Sequence, residues 1–352
     1  MVVGSSPTRG AKISKMKVHP VTQTIQTVTG PITPDQLGRT LMHEHVLIGY
    51  PGWEVDWTRP GASRSEMLSA AADKIEEMKA EGITAMVDPC PADLGRDIEL
   101  IAEVAQRARF TIIAAAGLYH EHEGGSPHWK SRAAFGGPQQ DAMADLFIAE
   151  LTNGVGRTGI KPGIIKIATS AGVITDYEKV VLTAAAKASL ATGAPITSHT
   201  DRGTMGPEQQ KFLTDLGVPA HRIIIGHCCG TSDHEYHMKI VRGGSYLGFD
   251  RFGLDVVHPD KERVASLLKL IKRGAASRVV VSHDTVWCWR GEPIADRKLL
   301  AEMEKLWTPS HFSRHIVPQL LDGGATKDDI ETLLVANPRR FFAGEALPAI
   351  AG

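Results

Sequence analysis

Two histidines one residue apart, His43 and His45 in Thr40-Leu-Met-His-Glu-His-Val-Leu-Ile48, lie in an apolar run. On a strand, residues two apart share a face. The spacing therefore lets two neutral imidazoles grip one divalent cation at about 2.0–2.1 Å and turns Glu44 away from it. Further along, apolar runs again finish in a residue able to bind metal. Lys166 follows Gly163-Ile-Ile, His199 follows Pro195-Ile-Thr-Ser, His227 follows Arg222-Ile-Ile-Ile-Gly, and Asp284 follows Arg278-Val-Val-Val-Ser-His. Strand ends that merely meet solvent would explain each of these singly, but not the repeated choice of His, Lys and Asp.

Such residues need a frame that brings distant strand ends together. Near-continuous apolar runs lie near 40–48, 83–90, 110–119, 163–169, 195–199, 222–228, 245–251 and 279–284. Stretches with helical periodicity, such as 64–80 and 177–191, alternate with them. Parallel strands buried under helices read this way, and eight strand–helix units predict an α/β fold, the (β/α)8 TIM barrel. Active sites of that architecture sit at the carboxyl ends of the strands, where all the residues named above fall.

The chain has 352 residues, 42% of them hydrophobic, enough for one barrel with its loops, so 21–352 is expected to be a single domain. A formal net charge of −1 offers no basic footprint for nucleic acid, and no apolar run reaches the roughly 18 residues of a membrane span. Residues 1–20 carry scattered basic groups without an apolar signal core, which predicts a disordered extension and a cytoplasmic protein. Cys90, Cys228, Cys229 and Cys288 lack CxxC spacing and read as reduced, space-filling thiols. Because Cys228 and Cys229 directly follow His227, a zinc ligand or nucleophile is the alternative there. Residues 337–342 are expected to close the last helix.

Taken in order, Gly38-Arg-Thr-Leu-Met-His-Glu-His45, Gly163-Ile-Ile-Lys166, Ser198-His199, Ile225-Gly-His227, Asp250-Arg-Phe-Gly253 and Ser282-His-Asp284 resemble the phosphotriesterase family of the amidohydrolase superfamily, over roughly residues 25 to 343. That resemblance implies a binuclear metal centre. His43, His45 and Asp284 would hold the buried ion and His199 and His227 the more exposed one. The ions would be zinc in the first place, with cobalt, manganese or iron as alternatives that mixed N/O ligands do not separate. Lys166 would bridge them as N6-carboxylysine. The residues alone support this in one respect: an ammonium beside two dications is repelled and its pKa falls, leaving a reactive neutral amine. A plain ion pair from Lys166 to Asp284 is the other reading. Two cations about 3.5–4 Å apart acidify a shared water, so hydroxide is the expected nucleophile, with Asp284 taking or relaying the proton.

The enzymes of this family that attack phosphotriesters best carry a histidine after the strand-seven aspartate, paired with an acid after the strand-six histidine. Here those positions are Arg251 and Cys229-Gly230. Asp250-Arg-Phe-Gly253 with Ser282-His-Asp284 instead resembles the phosphotriesterase-like lactonases. Arg251 would then support the site, and Tyr119 would donate a hydrogen bond to the metal-bound oxygen. The polar loop 120–129 departs from the aromatic-rich segment of acyl-homoserine-lactone hydrolases. Its His120 and His122 read as substrate-facing or solvated, and its Glu121 and Glu123 would favour a cationic group. Trp287 and Trp289 are expected as pocket wall, or as packing of the last loop, and the resemblance implies a homodimer. The reading is a hydrolase for a small-molecule lactone or carboxylic ester, with an organophosphate triester as runner-up and an amide further off. A catalytically silent barrel that uses the same cleft for binding is the competing class, and failure to bind metal would favour it.

Overall fold

The computed structural model describes residues 24–135 and 139–350; the expected extension at 1–20 lies outside them. The first strands, β1 (Ile25–Thr27) and β2 (Gly30–Ile32), form an antiparallel hairpin. In chain order there follow β3 (Thr40–Leu41), β4 (His45–Ile48), β5 (Ala85–Asp88), β6 (Thr111–Gly117), β7 (Ile164–Thr169), β8 (Ile196–Thr200), β9 (Ile223–Ile225), β10 (Tyr246–Phe249), β11 (Val279–Val281) and β12 (Val286–Trp289). Eight of them make one parallel sheet in the order β11-β10-β9-β8-β7-β6-β5-β3. The two edges meet at a seam where Met42 N donates to Val281 O at 3.2 Å, and β4 runs parallel to β12 beside it. This is the predicted (β/α)8 barrel.

Helices cover the outside of the sheet. Ser63 with Glu66, and Thr175 with Glu178, form capping boxes that start Arg64–Ala80 and Asp176–Thr192 by satisfying otherwise unpaired N–H groups of the first turn. Along β7, Ile165 and Ile167 pack outward with the helices, while Ile164 joins an inner cluster with Ala85, Val87, Ile113, Tyr246 and Val280. The period of two that sends Ile164 inward also sends Lys166 inward, one layer nearer the mouth. Beneath the inner layer, Phe341 and Phe342 plug the barrel with Ile25 of the hairpin. Residues 337–342 close the last helical run, as expected: it continues unbroken from Lys327 through a π-helical segment, Thr332–Ala336, to Asn337–Ala343.

The first apolar run does not make one continuous strand. It divides into β3 and β4, with Met42, His43 and Glu44 outside both, because the chain leaves the barrel neighbours at the seam and pairs onward with β12. Gly117 stands opposite Lys166 where β6 meets β7, at φ +124°, and a Cβ there would collide with the Lys166 carbonyl. Only glycine lets these strands close at the level of the site. Among the described residues no helix is long and apolar enough to cross a membrane.

Candidate metal centre

At the carboxyl ends of the strands, His43, His45, Tyr119, Lys166, His199, His227, Arg251, Asp284 and Trp289 line one cleft of about 220 Å³. His43 Nε2 and His45 Nε2 lie 3.3 and 3.1 Å from Asp284 Oδ1. These spacings approach the edge, about 3.3 Å, of a tetrahedron of ligands at zinc–nitrogen bond lengths. Lys166 Nζ is 3.0 Å from His43 Nε2, and His227 Nε2 is 3.8 Å from Asp284 Oδ2. The four histidines and the lysine are buried. Two of the ligand-type residues, His227 and Asp284, occupy the left-handed region at φ +57° and +56°. Such conformations cost about 1–3 kcal/mol each and persist where the surroundings enforce them.

Carboxylates stand behind the rings. His227 Nδ1 is 2.8 Å from Asp250 Oδ1, which also accepts the His227 N–H. His43 Nδ1 faces Asp250 Oδ2 at 3.3 Å, and His45 Nδ1 faces Asp88 Oδ1 at 3.4 Å. Three imidazoles therefore turn Nε2 toward the cleft with an anion at the rear, the arrangement that fixes the tautomer of a metal-binding histidine and raises its basicity. His199 has Nδ1 3.0 Å from the Tyr119 hydroxyl and Nε2 without a protein partner, so this ring retains a nitrogen to give. The donor set suits divalent cations: His43, His45 and Asp284 are close enough to share one, and the His199 and His227 rings stand beside them with centroids 4.5 Å apart.

The electrostatics agree. Burial, with the Lys166 charge, lowers His43; burial, with Arg251, takes His227 down to about 3; and burial, with the His227 charge, holds His199 well below the usual range. Neutral imidazole is the ligating form. His45 goes the other way: burial lowers it, but hydrogen bonds to Asp284, Asp88 and Cys90 outweigh burial and raise it. The proton on His45 Nε2, facing Asp284, occupies the place a dication would take. Burial raises Asp284, yet the charges of His227, His43 and Arg251 hold it well below the usual carboxylate range. Its ion pair is with Arg251 Nε at 2.9 Å.

Asp88 escaped the sequence reading, and Asp250 entered it only within Asp250-Arg-Phe-Gly253, with no role at the site. Gly226 and Gly248 make room for Asp250, since a Cβ at Gly248 would meet its carboxylate. Replacing Asp250 by asparagine is expected to weaken metal binding roughly 10–100-fold, the usual cost of losing a carboxylate behind a ligating histidine. Titration of metal-free protein with Zn²⁺ checks this, and unchanged affinity would refute it.

The remaining predicted residues separate. Tyr119 and Trp289 reach the cleft, and Tyr50 lies near-parallel to Trp289 with ring centroids 6.3 Å apart. Trp287 instead borders a different hollow with Gly61, Glu66 and Arg297, a hollow that Trp289 lines as well. His120 is buried behind Tyr119, its ring centroid 4.3 Å away, and is not among the cleft-lining residues; His122 is exposed. Trp307, unanticipated, lines the cleft and donates from Nε1 to His283 O at 2.9 Å. All four cysteines are buried and free.

The model of the phosphotriesterase family matches residues 23–342. The chain belongs to the phosphotriesterase family. It is 36% identical over 323 residues to the phosphotriesterase homology protein of Mycobacterium tuberculosis strain CDC 1551 / Oshkosh, covering 90% of this chain and 97% of that one. It is 31% identical over 314 residues to the aryldialkylphosphatase of Saccharolobus solfataricus, covering 89% and 97%. A substituted form of a PTE-like lactonase from Deinococcus radiodurans superposes with a TM-score of 0.87 at 37% identity, covering 91% and 100%. Within this family fold, the six ligand-type side chains stand together at the barrel mouth.

Proposed function

We propose that this chain is a binuclear metal-dependent hydrolase that cleaves a small lactone or carboxylic ester, with organophosphate triester hydrolysis as a second activity. The observation that carries the reading is the ring of His43, His45 and His227 Nε2 atoms about the Asp284 carboxylate, each imidazole backed by Asp88 or Asp250. Zinc as the metal, a carboxylated Lys166 and a cytoplasmic homodimer belong to the same proposal. When bound, two dications would acidify water near neutral pH and polarise the oxygen of the scissile group.

The chain's own residues supply the rest. Arg251 holds Asp284 Oδ2, so this carboxylate takes up a proton there only by giving up that hydrogen bond. The Tyr119 hydroxyl, 3.0 Å from His199 Nδ1 and buried, is placed to orient a substrate oxygen on the His199 side. Leu254, Val257, Trp289 and Met303 give the cleft an apolar wall that keeps water from the remainder of the substrate.

Support for carboxyl over phosphoryl chemistry comes from Arg251 and Cys229. Burial pushes the Cys229 thiol up to about 11, so it offers no carboxylate-like base after His227. The similarity to a PTE-like lactonase favours the lactone, and the similarity to an aryldialkylphosphatase favours the second activity. Metal-loaded enzyme assayed on lactones, aryl esters and a phosphotriester is expected to show the highest kcat/KM on a lactone or ester. Phosphotriester preference would reverse the order of the two activities, and no metal uptake would favour a binding role for the barrel.

A further inference from the structure

Glu44, between the two cleft histidines, is fully buried and touches none of the cleft. Its carboxylate collects five donors, all from the segment after β11. Oε1 accepts from Ser282 Oγ at 2.8 Å, His283 N at 2.9 Å and His283 Nδ1 at 2.7 Å. Oε2 accepts from Thr285 N at 3.1 Å and from the Thr285 hydroxyl. Phe312 N–H donates to His283 Nε2 at 2.9 Å, which leaves the ring proton on Nδ1 for Glu44.

The two amides that Glu44 binds, those of His283 and Thr285, flank Asp284. They hold the backbone on both sides of a residue in the left-handed conformation. Ser282 Oγ in turn accepts the His43 N–H at 2.9 Å, while Asp284 N donates to His43 O at 2.9 Å and His45 N to Thr285 O at 2.8 Å. Every one of these bonds crosses the seam between the segment bearing His43 and His45 and the segment bearing Asp284. None reaches β8 or the end of β9, where His199 and His227 stand.

We infer that Glu44 is the positioning residue that assembles the His43–His45–Asp284 half of the centre, by clamping the backbone on both sides of Asp284 across the barrel seam. This rests on the binuclear reading above. An amide cannot replace the carboxylate: whichever way the side chain of a Glu44→Gln variant turned, its NH2 would face two or three donors. The clamp therefore acts on one metal position and leaves the other alone, which a general role in holding the barrel shut would not do.

The test uses full-length protein stripped by chelator and titrated with Co²⁺, followed by visible absorbance and calorimetry, for wild type, Glu44→Gln and Ser282→Ala. Wild type is expected to take up about two ions per chain. Glu44→Gln is expected to keep one of these affinities and to weaken the other at least tenfold, with kcat reduced and KM held. Ser282→Ala, which removes only the link from Glu44 to the His43 amide, is expected to weaken the same step less and serves if Glu44→Gln does not fold. Two unchanged affinities with a lowered metal-free melting temperature, or equal weakening of both steps, would overturn the inference alone. A wild type that binds no Co²⁺ would overturn the binuclear reading and this inference with it.

Discussion

Asp284→Ala is expected to lower kcat/KM by ~10³-fold or more, the scale on which losing one member of a cooperating catalytic group acts. Asp284 Oδ1 stands 3.1–3.3 Å from two ligand-type nitrogens, and Oδ2 takes the Arg251 hydrogen bond. Its removal leaves two imidazoles for one cation and a largely buried guanidinium without its partner. Alanine is also a poor fit to φ +56°, so part of the loss would be structural. Asp284→Asn separates the two effects, because asparagine tolerates the left-handed region and its amide oxygen still accepts from Arg251. The asparagine variant is expected to melt close to wild type and yet remain deeply impaired, since the negative charge beside His43 and His45 is gone. Steady-state kinetics and thermal melts on both variants decide it; near wild-type turnover in Asp284→Asn would refute the role.

What the sequence revealed and what it hid divide along a physical line. The barrel was legible because strands covered on both faces need unbroken apolar runs, as in Ile164–Thr169, every residue of which is buried. Ligand-type residues were legible because a histidine or lysine has little reason to end such a run. The first strand misled: Thr40 to Ile48 reads as one strand, yet the break at Met42 to Glu44 comes from pairing across the seam, a contact between segments some 240 residues apart that leaves no local trace. Glu44 was expected to face away from the metal, as it does, but its five donors lie in the distant segment after β11. Asp88 and the role of Asp250 were missed for a related reason, since a carboxylate at a strand end looks the same whether it meets solvent or the back of an imidazole. Trp287 and Trp289 show the limit from the other side: both sit in one aromatic run, at positions that share a strand face, and nothing in that spacing says that only Trp289 reaches the cleft.

Lys166→Ala is expected to lose metal and activity together, and to regain part of both when a short-chain carboxylic acid is supplied. Lys166 is inward on β7 and 1% exposed, so its ammonium would be surrounded by Asp284, Asp250, Arg251 and the imidazoles with no water to stabilise it. Burial, opposed by the charges of Asp284 and Asp250, brings it down to about 8. The neutral amine is the form that can capture carbon dioxide, and it predominates above that pH. With dissolved carbon dioxide held at one concentration, recovery of metal-free wild type with Zn²⁺ should therefore speed up as pH rises from about 7 to about 8 and level off beyond, by the balance of charged and neutral amine. The alanine variant has no amine to carboxylate, so its recovery should ignore carbon dioxide and respond only to the added acid, which would occupy the emptied space between the metals. Metal analysis beside kcat/KM, with and without propionate, reads the outcome. An alanine variant that keeps about two ions per chain without added acid would exclude Lys166 as a bridge that metal binding requires.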